Sequence, residues 1–352
     1  MEQRVADPIA RQPSALRTHA ETIAFVVMVA ALIVAPFFTY PLFLMQAMCF
    51  ALFACAFNLL IGYVGLLSFG HALYFGWASY VAAHLAKVGL IKLPFLFYCG
   101  TIARPICIAP GWLTIPLPPL PPELAILGGT AFAALIGLLA GLLAIRRQGI
   151  YFAMITLALA QMMYFFALQA KFTGGEDGIQ AVPRGHLFGI IDLHNEMTMY
   201  IVVLVIFLAG FLFIYRIIHS PFGEVLKAIR ENETRAISLG YKTDRYKLVA
   251  FVLSATLAGV AGATKAIVLQ LASLTDVNWP MSGEVVLMTL VGGLGTIFGP
   301  VVGSFVILLM QYKLAPVGEW VLVIQGVIFV ACVLLFRRGI VGEIANLLRI
   351  RL

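Results

Sequence analysis

The sequence predicts an all-α, polytopic transmembrane helical bundle of about eight to ten membrane segments, with both termini on the cytoplasmic side. Three observations predict it. Of the 352 residues, 62% are hydrophobic and 11% charged, against about 45–50% and about 25% in soluble domains. Apolar runs of about the 20 residues that a span needs recur along the chain. The basic clusters between those runs all fall on one side when the spans are counted, as cytoplasmic loops require.

Residues 1–21 form an arm carrying Arg4, Arg11 and Arg17. A hydrophobic run begins near Thr22, and no small-residue cleavage site follows it. It therefore reads as an uncleaved first span and not as a secretory signal. Spans are expected at 22–40, 43–61, 66–86, 124–144, 150–170, 199–218, 248–272 and 320–336. The apolar run 281–312 is interrupted by Gly292, Gly293, Gly295, Gly299 and Pro300. These split it into short segments, 281–294 and 298–312, that meet at a turn. Residues 22–336 thus make one transmembrane domain, followed by a tail, 337–352.

The arm, the Arg146–Arg147 turn, the loop 219–247 and the Arg337–Arg338 tail are basic. The loop 171–198 holds Glu176, Asp177, Asp192 and Glu196 against Lys171 and Arg184, so it is placed outside. The stretch 90–123 contains Pro94, Pro105, Pro110, Pro116, Pro118, Pro119, Pro121 and Pro122. It is either an external loop or a re-entrant hairpin. Cys99 and Cys107 fall in it, on the oxidising side, where a disulfide is an option. Cys49, Cys55 and Cys332 read as small apolar packing residues.

Composition excludes several classes. The net charge of +7 reflects loop bias and not nucleic-acid binding, since no soluble basic domain is present. No G-x-x-x-x-G-K-[ST] loop occurs. GGLGTIFG (292–299) lacks the dinucleotide spacing and a following acid, and it sits in apolar sequence. No HExxH, Ser/His/Asp set or Cys/His metal cluster can be assembled. The chain reads as a non-enzyme with no cofactor and no metal of its own.

One stretch concentrates charge. SPFGEVLKAIRENETRAISLGYKTDRYK (220–247) holds ten of the chain's 39 charged residues (23 basic plus 16 acidic). Ser220 suits an N-cap, Pro221 a first helical position and Gly240 a stop. Lys227–Glu231 and Glu231–Arg235 have the i,i+4 spacing of supporting ion pairs. Val225, Leu226, Ile229, Ala236 and Ile237 form an apolar face. A short amphipathic helix is expected. Its role is either a solvated topology anchor or a docking helix whose apolar stripe enters a partner's groove.

Polar residues inside apolar runs are the other candidates. GYVGLLSFGHALYFG (62–76) sets Ser68 and His71 among Gly62, Gly65, Gly70 and Gly76. Non-helical backbone at membrane depth is tolerated where it lines a cavity. His71 is a solute ligand, a proton sensor or a hydrogen-bonded packing residue. Asn58 reads as a polar link between helices. Thr156 and Gln161 either bond neighbouring helices or face a polar path. TGGEDGI (173–179) is a glycine-rich acidic turn.

AIRENETRAISLGYKTDRYKLVAFVLSATLAGVAGA (228–263) resembles the cytoplasmic loop and following helix of ABC importer permeases of the branched-chain amino acid (Liv-type) family. GLLSFGHALYFGWASYVAA (65–83), GIYFAMITLALAQMMYFF (149–166), TGGEDGI and LVGGLGTIFGPVVG (290–303) agree in the family's order. The resemblance implies a bacterial inner-membrane subunit beside a second, related permease. It implies two cytoplasmic ATPases, which bind the ATP, and a periplasmic solute-binding protein. The charged loop would be the coupling helix, with Arg230, Glu231, Glu233, Ala236 and Gly240 facing the ATPase. Ser68 and His71 would lie beside the translocation path, and TGGEDGI would face the binding protein. Branched-chain amino acids are the implied solute, with urea, short amides and aromatic carboxylates as alternatives.

Lys265 lies within a span, where a charge is costly unless paired or snorkelling. Three readings stand. It reaches the external interface, pairs with Glu284, or contacts a solute carboxylate. The contrasting class is a self-sufficient secondary transporter or channel, which would need an acid in the membrane core.

Overall fold

The computed structural model describes residues 14–87, 120–147, 149–189, 191–318, 320–335 and 339–347. These residues are predominantly helical. Helices α1 (Ser14–Val34), α2 (Pro41–Tyr63), α3 (His71–Lys87), α4 (Pro122–Ala144), α5 (Ile150–Gln169) and α6 (Glu196–Ile218) come first. Two short helices follow, α7 (Pro221–Glu231) and α8 (Glu233–Ser238). The chain continues through α9 (Thr243–Leu269), α10 (Trp279–Gly292), α11 (Gly299–Leu314), α12 (Trp320–Leu335) and α13 (Gly339–Leu347). Five of them, α2, α4, α5, α6 and α9, are long and apolar enough to cross a membrane.

Each apolar segment read from the sequence falls on a helix, with shifted ends. The first helix begins at Ser14 and gives way to a 3-10 turn at Ala35–Phe37. The segment 66–86 becomes helical only at His71, which leaves 64–70 as non-helical backbone. The run 281–312 is indeed two helices, because α10 stops at Gly292 and α11 starts at Gly299. Cys99, Cys107 and Arg337–Arg338 lie outside the described residues.

Local chemistry sets many of the ends. Pro occupies the first turn of α2, α4, α7, α10 and α11, where its missing N–H costs nothing. Asn195, Ser220, Asn232 and Asn278 accept hydrogen bonds from backbone N–H groups at the starts of α6, α7, α8 and α10.

Helices α2 and α9 form the centre. The apolar window of α2 is 89% buried, whereas those of α4, α5 and α6 are 28% buried and present their flanks outward. Helix α9 packs on α2, α3 and α4. Its contact with α4 is a seam of small residues. Gly129, Ala133 and Gly137 on α4 meet Ala263, Gly259 and Ala255 on α9, a spacing that lets backbones approach closely. Gly262 faces α3, where an added Cβ would lie on the carbonyl oxygen of Phe75.

At one end of the bundle lie the 64–70 segment, α7, α8 and the 292–299 turn. The other end carries two small antiparallel ladders. β1 (Ile179–Gln180) pairs with β4 (Leu271–Ala272), and β2 (His186–Leu187) with β3 (Ile191–Asp192). Lys87 Nζ donates to Gln180 O at 2.7 Å, and Arg184 Nη2 to Val268 O at 3.0 Å. The loop 171–198 is therefore fastened to α3 and α9. In this loop the backbone N–H of His194, then its ring, hold the Asp192 carboxyl below the ordinary carboxylate range. That contact contributes above the ordinary pKa and fades as pH falls through the lowered one.

Candidate functional site

A buried charge inside a long apolar helix belongs to Lys265. It lies one turn from the end of α9, 7% exposed, and its Nζ donates to Asp276 Oδ1. Asp276, 1% exposed, closes the 3-10 turn Leu274–Asp276. Nζ also lies 5.2 Å from the ring centroid of Phe50 and 5.5 Å from that of Phe75, within the range of a cation–π attraction. Gly76 lets the turn sit on α3, since a Cβ there would stand 2.7 Å from Val277 N and 2.8 Å from Asp276 C. Two of the three sequence readings are corrected. Lys265 does not reach the interface, because it is buried, and its partner is Asp276 and not Glu284. Glu284 is half-buried and accepts from Gln311 Nε2 at 2.5 Å, tying α10 to α11.

His71 begins α3 fully buried. Its Nε2 lies 2.8 Å from Ser254 Oγ on α9, and that hydroxyl donates to Ala56 O on α2 at 2.5 Å. The single hydroxyl proton is thus used on Ala56, so Nε2–H must be the donor to Ser254. The rings of Phe57, Tyr74 and Phe251 stand edge-on around the imidazole. His71 is a three-helix fastener. Ser68 is buried beside it and accepts from Gly70 N at 3.3 Å. Thr156 is buried and spends its hydroxyl on Ala153 O at 2.9 Å. Gln161 is half-buried on α5. Gly70, between Ser68 and His71, packs on Thr156, whereas Lys265 lies further along α9 than Ser254, the residue that His71 meets.

The charged stretch departs from one continuous helix. Asn232 takes an extended conformation, ending α7 and capping α8 through Arg235 N at 3.0 Å. The break removes the helical path from Glu231 to Arg235, and Lys227 pairs with Glu224 at 2.7 Å and not with Glu231. The apolar face is also mostly inward, because Leu226, Ile229 and Ala236 are buried. Glu233 is half-buried and bonded to the buried Lys247 at the start of α9. Ala236 and Glu233 therefore hold the element to its own bundle. Arg230 donates through Nη1 to Gly62 O at the end of α2. What α8 and the residues flanking it present outward is Glu231, Arg235, Ile237, Leu239, Gly240 and Tyr241.

Asn58 completes this end. Its Nδ2 donates to Thr296 O at 2.9 Å and its Oδ1 accepts from Gly295 N at 3.1 Å. The amide so pairs one N–H and one carbonyl of the 292–299 turn with α2. Arg230 Nη1 lies beside Gly295 as well, so α2, α7 and the α10–α11 turn share one polar junction. Asn58→Ala removes the partner of two part-buried peptide groups. It is expected to lower stability by about 1–3 kcal/mol, read as a lower unfolding midpoint in detergent. An unchanged midpoint would remove Asn58 from the junction.

Sequence reasoning missed Asp276, Ser254, Lys247 and Tyr80. Asp276 had a usable signal, an acid eleven residues after an intramembrane lysine. Ser254 and Lys247 are brought to their partners, and Tyr80 to its place near Asp276, by packing alone.

A family model described as Branched-chain amino acid transport system / permease component matches residues 39–333. The High-affinity branched-chain amino acid transport system permease protein LivM of Escherichia coli (strain K12) is 26% identical over 217 residues, 55% of this chain and 51% of the relative. The Probable branched-chain amino acid transport permease protein LivH of Methanocaldococcus jannaschii is 28% identical over 170 residues, 44% of this chain and 50% of the relative. The Ribose import permease protein RbsC of Bacillus subtilis (strain 168) is 29% identical over 202 residues, 51% of this chain and 58% of the relative. The chain spans about half the length of the LivM and LivH relatives it matches. No solved structure matches.

Proposed function

Because the chain belongs to the family of branched-chain amino acid transport system permease components, we propose that it is the membrane-spanning subunit of an ATP-driven importer in a bacterial inner membrane. It would act with a second permease subunit, two cytoplasmic ATPases and a periplasmic solute-binding protein. The proposed solute is a branched-chain amino acid or a related small amino acid. ATP is bound and hydrolysed by the partners, and the solute crosses by alternating access between the two permeases.

The observation that carries this reading is the α7–α8 element. Helix α7 is anchored inward by Arg230 and Leu226, while α8 and the turn after it project Ile237 (53% exposed), Leu239 (71%) and Tyr241 (42%) among charges. Exposed apolar anchors rimmed by charge are what a docking surface needs. The outer face of α8 would meet the ATPase, and the junction of Arg230, Gly62 and Asn58 would pass its movement to α2.

Two variants separate these roles. Leu239→Glu is expected to abolish recovery of the ATPases with the tagged chain. Arg230→Ala should leave recovery intact but cut ATP-driven uptake at least about tenfold, by removing a charged hydrogen bond. Undiminished uptake in Arg230→Ala would remove the relay. A self-sufficient carrier is favoured by one observation, the buried Lys265–Asp276 pair. Gentle-detergent purification decides between the two. Recovery of two ATPases and a second permease supports the importer, and recovery of the chain alone, beside an intact control complex, supports the carrier.

A further inference from the structure

The Lys265–Asp276 pair leaves polar capacity unused. Asp276 Oδ2 and the Tyr80 hydroxyl are buried and have no hydrogen-bond partner among the described residues. Tyr80 is 1% exposed, like Asp276, and it follows by one turn of α3 the Gly76 that packs on the Asp276–Val277 backbone. A pair serving only to fasten the 274–276 turn would be expected to satisfy its remaining lone pairs, since buried pairs are stable only when fully hydrogen-bonded. Here one carboxylate oxygen and one hydroxyl await a further polar group. Thr275, the neighbour of Asp276, is exposed, so the pair lies directly beneath the surface of the bundle's outer end.

Charge balance restricts the ligand. A lone cation or anion drawn to this pair would leave one net charge in a low-dielectric interior, which is costly. A zwitterion adds none. Its two charges can exchange with Lys265 and Asp276, each ion trading one partner for another. We propose that Lys265, Asp276 and Tyr80 form a site for the headgroup of a zwitterionic α-amino acid. Asp276 Oδ2 accepts from the ammonium, Lys265 Nζ and the Tyr80 hydroxyl donate to the carboxylate, and the rings of Phe50 and Phe75 meet the apolar remainder. This site rests on the proposed import of small amino acids and assigns that role to specific atoms of this chain.

The test uses the full-length chain purified with whatever subunits accompany it, in the absence of a solute-binding protein. Saturable binding of radiolabelled L-leucine, and of each other protein amino acid in its place, is measured. The competitors are 4-methylpentanoate, which lacks the ammonium, and 3-methylbutylamine, which lacks the carboxylate. Each is expected to compete roughly 10–100-fold less well than L-leucine, the loss of one charge-assisted hydrogen bond. The double substitution Lys265→Met/Asp276→Leu leaves no charge at the site and should bind no amino acid. Tyr80→Phe, which removes only the hydroxyl, should weaken binding about 2–10-fold. It also decides the matter if the double variant fails to assemble. Equal competition by the half-analogues, unchanged binding in Tyr80→Phe, or no saturable amino-acid binding in the wild type would overturn the site. The importer reading is judged separately, by whether ATPases co-purify, so either can fail without the other.

Discussion

Lys265→Met alone is expected to destabilise the protein by about 3–5 kcal/mol, whereas Lys265→Met/Asp276→Leu should match the wild type or exceed it. The single change leaves the Asp276 carboxylate, 1% exposed, without the ammonium that offsets its desolvation. The double change removes both desolvation costs and leaves apolar side chains of similar reach between Phe50 and Phe75. Unfolding midpoints in detergent would measure both. A single variant as stable as the wild type would mean that the pair is solvated in the working protein, and the ion-exchange site would lose its basis.

The second large effect is expected at Gly262. Its Cα faces the Phe75 carbonyl so closely that any Cβ must displace the backbone of α3 or α9. Backbone cannot rotate away as a side chain can, so Gly262→Val should exceed the usual overpacking cost of about 1–3 kcal/mol. Little folded protein should accumulate in the membrane. Gly283→Ala is the control on a neighbouring helix, because an added Cβ there meets nothing within 4 Å. Equal accumulation of both variants would show that α3 and α9 slide apart at low cost.

The contrast between these two sites explains what was legible in the sequence. Apolar length and glycine punctuation are local properties, so the helices and the interruption between α10 and α11 could be read directly. The break at Asn232 is also local, and it was obscured. Opposite charges at i,i+4 suggested continuity, yet Asn followed by Glu-Thr-Arg is itself a helix-start signal, and the cap prevails. The partner of Lys265 was misassigned because Glu284 begins a recognisable span, while Asp276 sits in a connecting turn that carries no periodicity. His71 could be listed with its alternatives, but its role depends on Ser254, 183 residues away, and no spacing rule connects them. The inward turn of Ala236 and Glu233 likewise follows from Lys247 and the packing of α7, not from the amphipathic pattern.

The junction at Asn58 has a consequence for the order in which the chain matures. The peptide groups that satisfy its amide are supplied 238 residues later. At about 5–20 residues per second, a nascent chain holds this amide for roughly 10–50 s before its partners have been made. Helix α2, the most enclosed of the five long helices, must therefore wait in lipid as a provisional guest with a polar group unanswered. Any factor that shields newly inserted helices would find its longest-lived client in α2. Translation slowed between α2 and α11 should lengthen that exposure, and the yield of mature protein should fall with it.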